Sequence, residues 1–199
     1  RELGERISRV VRLFERMGLQ RGDTIVQLSA NRPETFIVIA AVYVCGLKSV
    51  ALHALGSEDD HAFVIEDSEA KLVVVDPYFG ERGRALRGRC GSVAHWRSHG
   101  ELAGSGDLWQ QAGALAPQPL RPVGEAEDII RLAYTGGTTG RSKGVMLSNR
   151  SLVTNVVLAL AGMDWPQEVV YLCPAPISRG AGSLVVPTLL RGGCVILQR

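Results

Sequence analysis

Apolar positions along the chain follow two different periods, and these periods predict alternating helices and strands. Apolar side chains recur every three or four residues between Leu3 and Phe14, which indicates an amphipathic helix that Gly18 ends. The segment "ETFIVIAAVYVC" is apolar on nearly all sides and predicts a buried helix ending at Gly46. Short apolar runs predict strands at "TIVQLSA", "KSVAL", "KLVVVD", "DIIRLAY", Val145 to Leu147, "VVYLC" and "CVILQ". This order predicts an α/β fold, with mostly parallel sheets in layers flanked by helices.

Three polar patterns predict where helices begin. Asn31 before Pro33 and Glu34 has the sequence of an asparagine cap followed by an early proline. Ser57 with Asp60 has capping-box spacing and predicts a helix to about Asp67. Ser148 and Asn149 are expected to cap a helix over Leu152 to Leu160, and a further helix is expected from about Ala181.

The regular pattern is lost between Gly80 and Pro122, where arginine and glycine are frequent. We therefore divide the chain into a first α/β subdomain (1–79), a variable loop-rich connection (80–126) and an α/β segment (127–199). Five arginines stand against one acidic residue between Gly80 and Gly100. No aromatic residues are interleaved as in a nucleic-acid surface, so a solvated helix and loop is favoured over a phosphate or nucleic-acid patch.

Composition excludes several classes of protein. The chain of 199 residues is 46% hydrophobic and 21% charged with a net charge of +2, which gives no reason to expect nucleic acid as a partner. The apolar run from Phe36 to Leu47 is shorter than the ~20 residues of a membrane span. Four scattered cysteines without a CxxC pair favour reduced thiols and a cytoplasmic location over zinc or disulfides.

The segment "AYTGGTTGRSKGV", from Ala133 to Val145, is the strongest candidate for chemistry. Its glycines permit close backbone approach, so that consecutive N–H groups converge on an anion, and Lys143 adds a positive charge. Its spacing, Gly137-x-x-Gly140-x-x-Lys143, is neither that of a Walker A loop nor that of the dinucleotide fingerprint. A polyphosphate cradle and a glycine-rich hairpin turn without a ligand both remain open on composition alone.

The longer string "YTGGTTGRSKGVMLSN" resembles the phosphate-binding signature of the adenylate-forming (acyl-activating, AMP-binding) superfamily, roughly YT-[ST]-GTTG-x-PKGV. It departs from that signature at Gly136, where a hydroxyl residue is usual, and at Ser142, where proline is usual. The segments "GLQRGDTIVQLSANRPETF", "FVIEDSEAKLVVVD" and "LCPAPISRGAG" are similar to other parts of the family, although Arg179 stands where histidine is common. The resemblance thus extends over essentially the whole chain.

The resemblance implies the N-terminal portion of the acyl-activating enzyme fold and a two-step ligase of the acyl-CoA synthetase type. Such an enzyme adenylates a small carboxylic acid with ATP and Mg²⁺ and passes the acyl group to coenzyme A. The resemblance implies Lys143 as the catalytic residue, Thr135 as a metal contact and Arg179 as a contact to the acid or the α-phosphate. The implied nucleotide-binding residues are Thr135, Gly136, Gly137, Thr138, Thr139, Gly140 and Lys143.

Two alternatives stay open beside the CoA ligase. One is a peptide-synthetase-type adenylation domain or an acyl-AMP ligase that uses a carrier-protein thiol. The other is a non-catalytic nucleotide-binding or interaction module, which Gly136, Ser142 and Arg179 keep in view. Motifs that the family carries farther along, including its metal-binding glutamate and catalytic lysine, are not found in this sequence, so this chain alone is expected to be inactive.

A cluster of polar residues at 53–61 is a weaker candidate site. His53, Glu58, Asp59, Asp60 and His61 are close in sequence but lack a recognised metal-ligand spacing. A solvated helix start is the favoured interpretation.

Overall fold

The computed structural model describes residues 1–135 and 141–198. The helices in these ranges are α1 (Glu2–Arg16), α2 (Pro33–Val44), α3 (Glu58–Asp67), α4 (Gly80–Arg89), α5 (Leu108–Gly113), α6 (Asn149–Gly162) and α7 (Val185–Leu190). The strands are β1 (Thr24–Leu28), β2 (Lys48–Ala51), β3 (Ala70–Val75), β4 (His95–Ser98), β5 (Gly106–Asp107), β6 (Ile129–Thr135), β7 (Lys143–Ser148), β8 (Val170–Cys173) and β9 (Cys194–Leu197). Short 3₁₀ helices cover Pro77–Phe79 and Gly180–Leu184.

Seven strands form one sheet in the order β5-β4-β3-β1-β2-β6-β7. Every neighbouring pair is parallel except β6 and β7, which form an antiparallel hairpin. The predicted mostly parallel α/β fold is therefore confirmed. Because parallel strands share a direction, the carboxyl ends of β1, β2, β3 and β6 lie at one edge of the sheet, where α/β proteins commonly bind their ligands.

Both faces of the sheet are buried at its centre, in β1 and most of β3, which explains why these two strands read as continuous apolar runs. On one face Ile25 and Leu72 pack in a cluster with Phe14 of α1 and Ile37 of α2. On the other face Val26 belongs to a cluster that includes residues of α3 and α4. Successive strand residues point to opposite faces, so a strand covered on both sides needs apolar side chains at every position.

Residues 80–115 contain more regular structure than their sequence indicated. They form α4, β4, β5 and α5, and β4 and β5 extend the sheet beyond β3. Helix α4 lacks an apolar stripe because two of its three buried residues are glycines, Gly80 and Gly83. A Cβ on Gly83 would lie 2.7 Å from Val75 Cγ1, so this helix packs closely on the sheet. In β4 the buried residues Trp96 and Ser98 alternate with half-buried His95 and Arg97. The expectation that this stretch is mostly loop is therefore wrong for the residues that form these two helices and two strands. The division of the chain into three segments stays a prediction.

Helix starts agree with the sequence at two of three places. Ser57 accepts a hydrogen bond from the Asp60 N–H, and Ser148 accepts one from the Ser151 N–H. The expected asparagine cap of α2 is wrong, because the capping position is Arg32 and no side chain caps that helix. Asn31 instead contacts the turn after β8. In the described ranges, no helix has both the length and the apolar character that crossing a membrane requires.

Candidate functional site

The β6–β7 hairpin carries the loop that the sequence singled out. Tyr134 pairs with Gly144 and Thr135 with Lys143, so the two arms meet at the base of the loop. Thr135 Oγ1 donates to the Lys143 carbonyl at 3.5 Å, and both residues are exposed. The five other predicted nucleotide-binding residues, Gly136, Gly137, Thr138, Thr139 and Gly140, lie outside the described residues.

Helix α3 holds both arms of the hairpin. Tyr134 Oη donates to Asp67 Oδ2 at 2.6 Å. Just before the other arm, the Arg141 guanidinium lies 5.3 Å from the centre of the Phe63 ring, within the range of a cation–π contact. Burial, and then the hydrogen bond to Asp67, raise the pKa of the Tyr134 hydroxyl, so this group remains a donor at neutral pH. The base of the loop is thereby fixed to a packed helix.

Gly144 packs closely against the Tyr134 ring across the hairpin. A Cβ at this position would lie 3.1 Å from Cζ of the Tyr134 ring, closer than ordinary van der Waals contact. The residue after Lys143 therefore lets the tyrosine ring lie flat across the opposing strand. This contact gives a structural reason for one glycine of the motif.

A cavity of about 360 Å³ opens beside the hairpin, at the carboxyl ends of β2 and β6. It is lined by residues that follow β2, by α3, by the hairpin and by the turn after β8: Ala51, Leu52, His53, Gly56, Asp60, His61, Val64, Tyr134, Ser142 and Arg179. Two residues that depart from the family signature, Ser142 and Arg179, thus meet at one cavity although they are far apart in sequence. The volume lies within the range of small-molecule sites.

Arg179 gives this cavity a positive charge. It is half-buried, and burial together with the charge of Arg131 lowers its pKa, although a guanidinium stays protonated in proteins. Arg131 Nη2 donates to the Ser178 carbonyl at 2.9 Å and so fixes the turn that carries Arg179. Two guanidinium groups at one turn favour an anionic ligand, such as a phosphate or a carboxylate.

Two side chains near the loop carry oxygen atoms of the kind that binds Mg²⁺. Mg²⁺ is usually held by one or two protein oxygens together with substrate phosphates and water. The Thr135 hydroxyl at the base of the loop and the Asp60 carboxylate at the cavity are oxygen donors of the required kind. Within residues 1–135 and 141–198, no group of three or more His, Cys, Asp or Glu side chains is placed to bind a metal ion.

The polar cluster at 53–61 differs from its expected structure in one residue. Asp59 and Asp60 are exposed at the start of α3, as a solvated helix start predicts, but His61 is only 2% exposed. Gly56 and Tyr134 are cavity residues that the sequence did not identify as site residues, and His61 belonged to the weaker candidate cluster for which a solvated helix start was favoured. Their one local signal was a histidine within an otherwise apolar helix face; their meeting with Arg179 depends on contacts between distant segments.

Comparisons with known proteins agree with this geometry. The family described as AMP-binding enzyme matches residues 1–199. The medium/long-chain-fatty-acid–CoA ligase FadD8 of Mycobacterium tuberculosis is 35% identical over 204 residues, which cover 98% of this chain and 36% of that protein. The feruloyl-CoA synthase of an Amycolatopsis species is 34% identical over 202 residues, covering 99% of this chain and 38% of that protein.

Solved structures show the same architecture. The amide bond synthetase McbA from Marinactinospora thermotolerans superposes with a TM-score of 0.88 at 27% identity, covering 98% of this chain and 39% of that one. Apo MatB from Rhodopseudomonas palustris gives a TM-score of 0.84 at 28% identity, covering 99% and 39%. The chain thus spans well under half the length of the relatives it matches. By its match over residues 1–199, the chain belongs to the AMP-binding enzyme family.

Proposed function

We propose that this chain is the N-terminal, phosphate-binding part of an ATP-dependent ligase that adenylates a carboxylic acid and transfers the acyl group to coenzyme A. One observation carries the proposal: the hairpin with Lys143 stands beside a cavity lined by the cationic Arg179. The two relatives above are named as a CoA ligase and a CoA synthase, which favours coenzyme A over a carrier-protein thiol. The same proposal includes a cytoplasmic location and a carboxylic acid as the substrate.

The residues divide into two groups by role. The backbone N–H groups of 136–140, with the hydroxyls of Thr135, Thr138 and Thr139, would hold the β- and γ-phosphates. Lys143 would stabilise the negative charge that grows as pyrophosphate leaves. Mg²⁺, contacted by Thr135, would supply further positive charge to the phosphates. Arg179, across the cavity, would orient the carboxylate of the acid.

Replacement of Lys143 tests the phosphate role. Because the charge of Lys143 is needed most in the transition state, Lys143→Ala in the full-length protein should reduce kcat for adenylation by ~10²–10³ and raise the ATP KM only modestly. Thioester formation from supplied acyl-adenylate should be largely unchanged, since no pyrophosphate leaves in that step. Single-turnover assays of the two half-reactions, with circular dichroism as a folding control, measure both effects.

Lys71→Ala is the matched control. Lys71 is also an exposed lysine, but it lies near the amino end of β3, at the opposite end of the strand from the carboxyl edge. It should leave both half-reactions unchanged. An equal loss in both half-reactions for Lys143→Ala, or no loss in either, would contradict the phosphate role.

Replacement of Arg179 tests the acid role separately. Arg179→Ala should raise the KM for the acid and leave the KM for ATP nearly unchanged, whereas Arg179→Lys should keep part of the binding because it keeps the charge. Steady-state kinetics with each substrate varied in turn separates the two constants. A change confined to the ATP KM would show that Arg179 serves the nucleotide instead.

A further inference from the structure

The loop of residues 53–57, between β2 and α3, forms one wall of the cavity through His53 and Gly56. Its outer side is poorly packed: Leu55 is 90% exposed, and Ala54 is exposed too. Within the loop, the Gly56 N–H donates to the His53 carbonyl at 2.8 Å, which closes a single turn. A turn with so few contacts of its own needs support from elsewhere to keep a defined position.

That support comes from two side chains behind the loop. His61 Nε2 lies 2.7 Å from the His53 carbonyl oxygen, and Arg82 Nη1 donates to the Gly56 carbonyl at 2.8 Å. Arg82 Nη1 also lies 3.4 Å from His61 Nδ1. The His53 carbonyl therefore has a side-chain partner from α3, and the Gly56 carbonyl has one from α4.

The partners of His61 determine its protonation state. A carbonyl oxygen only accepts, so Nε2 carries the ring proton, and in the neutral ring Nδ1 is then the acceptor that meets the Arg82 guanidinium. A second ring proton would point at this cation. Burial lowers the pKa of His61, and the charge of Arg82 acts in the same direction. The ring is thus a neutral bridge between the loop carbonyl and Arg82.

Packing adds a second, independent constraint. A Cβ on Gly56 would lie 2.6 Å from His61 Nε2 and 3.1 Å from the His53 carbonyl oxygen. The loop therefore lies directly against the imidazole ring, and no other residue at position 56 fits without moving it. Shape and hydrogen bonding both depend on the ring of His61.

The same turn orients the side chain of His53. The Leu55 N–H donates to His53 Nδ1 at 3.1 Å, so in the neutral ring the proton of His53 lies on Nε2. His53 is an exposed residue that lines the cavity together with Ser142 and Arg179. Anything that moves the turn also moves this N–H donor.

We propose that His61 and Arg82 are positioning residues that fix the 53–57 loop as a wall of the cavity and hold His53 in place against the bound substrate. The effect on substrate rests on the proposed function, whereas the effect on the loop does not. Neither residue is expected to contact the reacting atoms. Both act through the carbonyl groups of the turn.

Three substitutions of His61 test this role in the full-length protein. The Gln side chain places an N–H donor where His has Nε2. The Asn side chain is shorter, so its N–H donor reaches only the position of Nδ1, and Leu fills the space without any donor. We expect His61→Leu and His61→Asn to speed amide hydrogen exchange at Leu55 and Gly56 by about tenfold, because each variant loses one partly buried hydrogen bond. His61→Gln should restore most of the protection. The variants with faster loop exchange should also have a higher KM for the acid, while their kcat should change less.

Arg82→Met provides a second variant if His61→Leu folds poorly. It removes the donor to Gly56 but keeps an unbranched side chain, and it too should speed exchange at Leu55 and Gly56. Exchange in α3 and β2, together with the melting temperature, separates a local effect from global destabilisation. Equal acceleration throughout the domain, unchanged loop exchange, or a Gln variant that behaves like Leu would overturn the proposal. Because exchange requires no turnover, it decides the role of His61 even if no acid is adenylated.

Discussion

His99, directly after β4, is a buried imidazole that the fold keeps neutral. It is 3% exposed, and Trp109 Nε1 donates to its Nδ1 at 3.2 Å. The ring proton therefore lies on Nε2, which has no hydrogen-bond partner among the described residues. Burial, followed by the charge of Arg32, lowers the pKa of His99 to about 4. The carboxylates that act in the opposite direction are Asp76, Glu34 and Asp107.

Acid should destabilise the protein through this residue. The folded pKa lies below the ordinary value of 6.5, so the stabilisation is complete above about pH 6.5 and is lost as the pH falls towards about 4. The whole difference corresponds to about 3 kcal/mol of unfolding free energy. Urea unfolding between pH 7 and pH 4 measures it, with His99→Asn as the comparison. Asn can still accept the hydrogen bond from Trp109 but does not titrate, so the unfolding free energy of the variant should fall less between pH 7 and pH 4. An equal fall in the two proteins would contradict the role given to His99.

At the scale of elements, one side chain attaches the small β8–β9 sheet to the carboxyl edge of the large one. Asn31 Nδ2 donates to the carbonyls of Cys173, Ala175 and Gln198 at 3.2, 3.3 and 2.9 Å. Its Oδ1 accepts from the Ile177 N–H at 3.0 Å. An asparagine amide can serve both donors and acceptors of backbone, which explains why Asn31 is used here and does not cap α2. The contact also holds the turn that leads to Arg179.

The substitution Asn31→Asp should loosen this attachment. It keeps the shape and one acceptor but removes the donors and places a carboxylate against three carbonyl oxygens, at a cost of about 1–3 kcal/mol. Faster proteolysis within 170–198, measured against the rest of the chain, would show the effect. Asn149→Asp is the control, because within the described part of the chain Asn149 Nδ2 donates to one acceptor, the Glu125 carbonyl, at an exposed site. Equal sensitivity of the two variants would contradict the role given to Asn31.

At the scale of the whole molecule, large apolar side chains are exposed mainly on β7, α6, β8, α7 and β9. Helix α6 buries none of its residues. These adjoining elements form what we call the apolar face, whose exposed residues are Val145, Met146, Val153, Val157, Leu158, Met163, Val170, Leu172, Val186, Leu189, Leu190 and Ile196. Apolar surface of this extent usually marks an interface.

The 199-residue chain by itself should therefore associate with further copies of itself. Leu158→Lys, which places a charge within the apolar face at a residue that is 64% exposed, should reduce the mass measured by light scattering after gel filtration. Leu55→Lys introduces the same change at a leucine exposed outside this face and should have no effect. A monodisperse monomer for the unaltered chain would contradict the prediction.

The sequence by itself determined the features that depend on neighbouring residues. The periods of apolar residues predicted α1, α2 and the strands β1, β2, β3 and β6, because a side chain's position on a helix or strand follows from local geometry. The capping serines and the glycine-rich segment were also readable, since a cap or a tight loop uses residues a few positions apart. Family membership followed from the same local strings.

Only the tertiary structure decided which distant segments meet. The strand order places β1 between β2 and β3, and the glycine contact of α4 with Val75 left no periodic signal to read. Asn31 had the local sequence of a cap, but its amide is used by a turn more than 140 residues away. The local sequence of His61 is that of a solvated polar residue, but in the fold its ring lies between the His53 carbonyl and the Arg82 guanidinium. In each case the interaction partner lies outside the few neighbouring residues that a sequence pattern covers. The free energy of that interaction is gained only when the distant segments pack together.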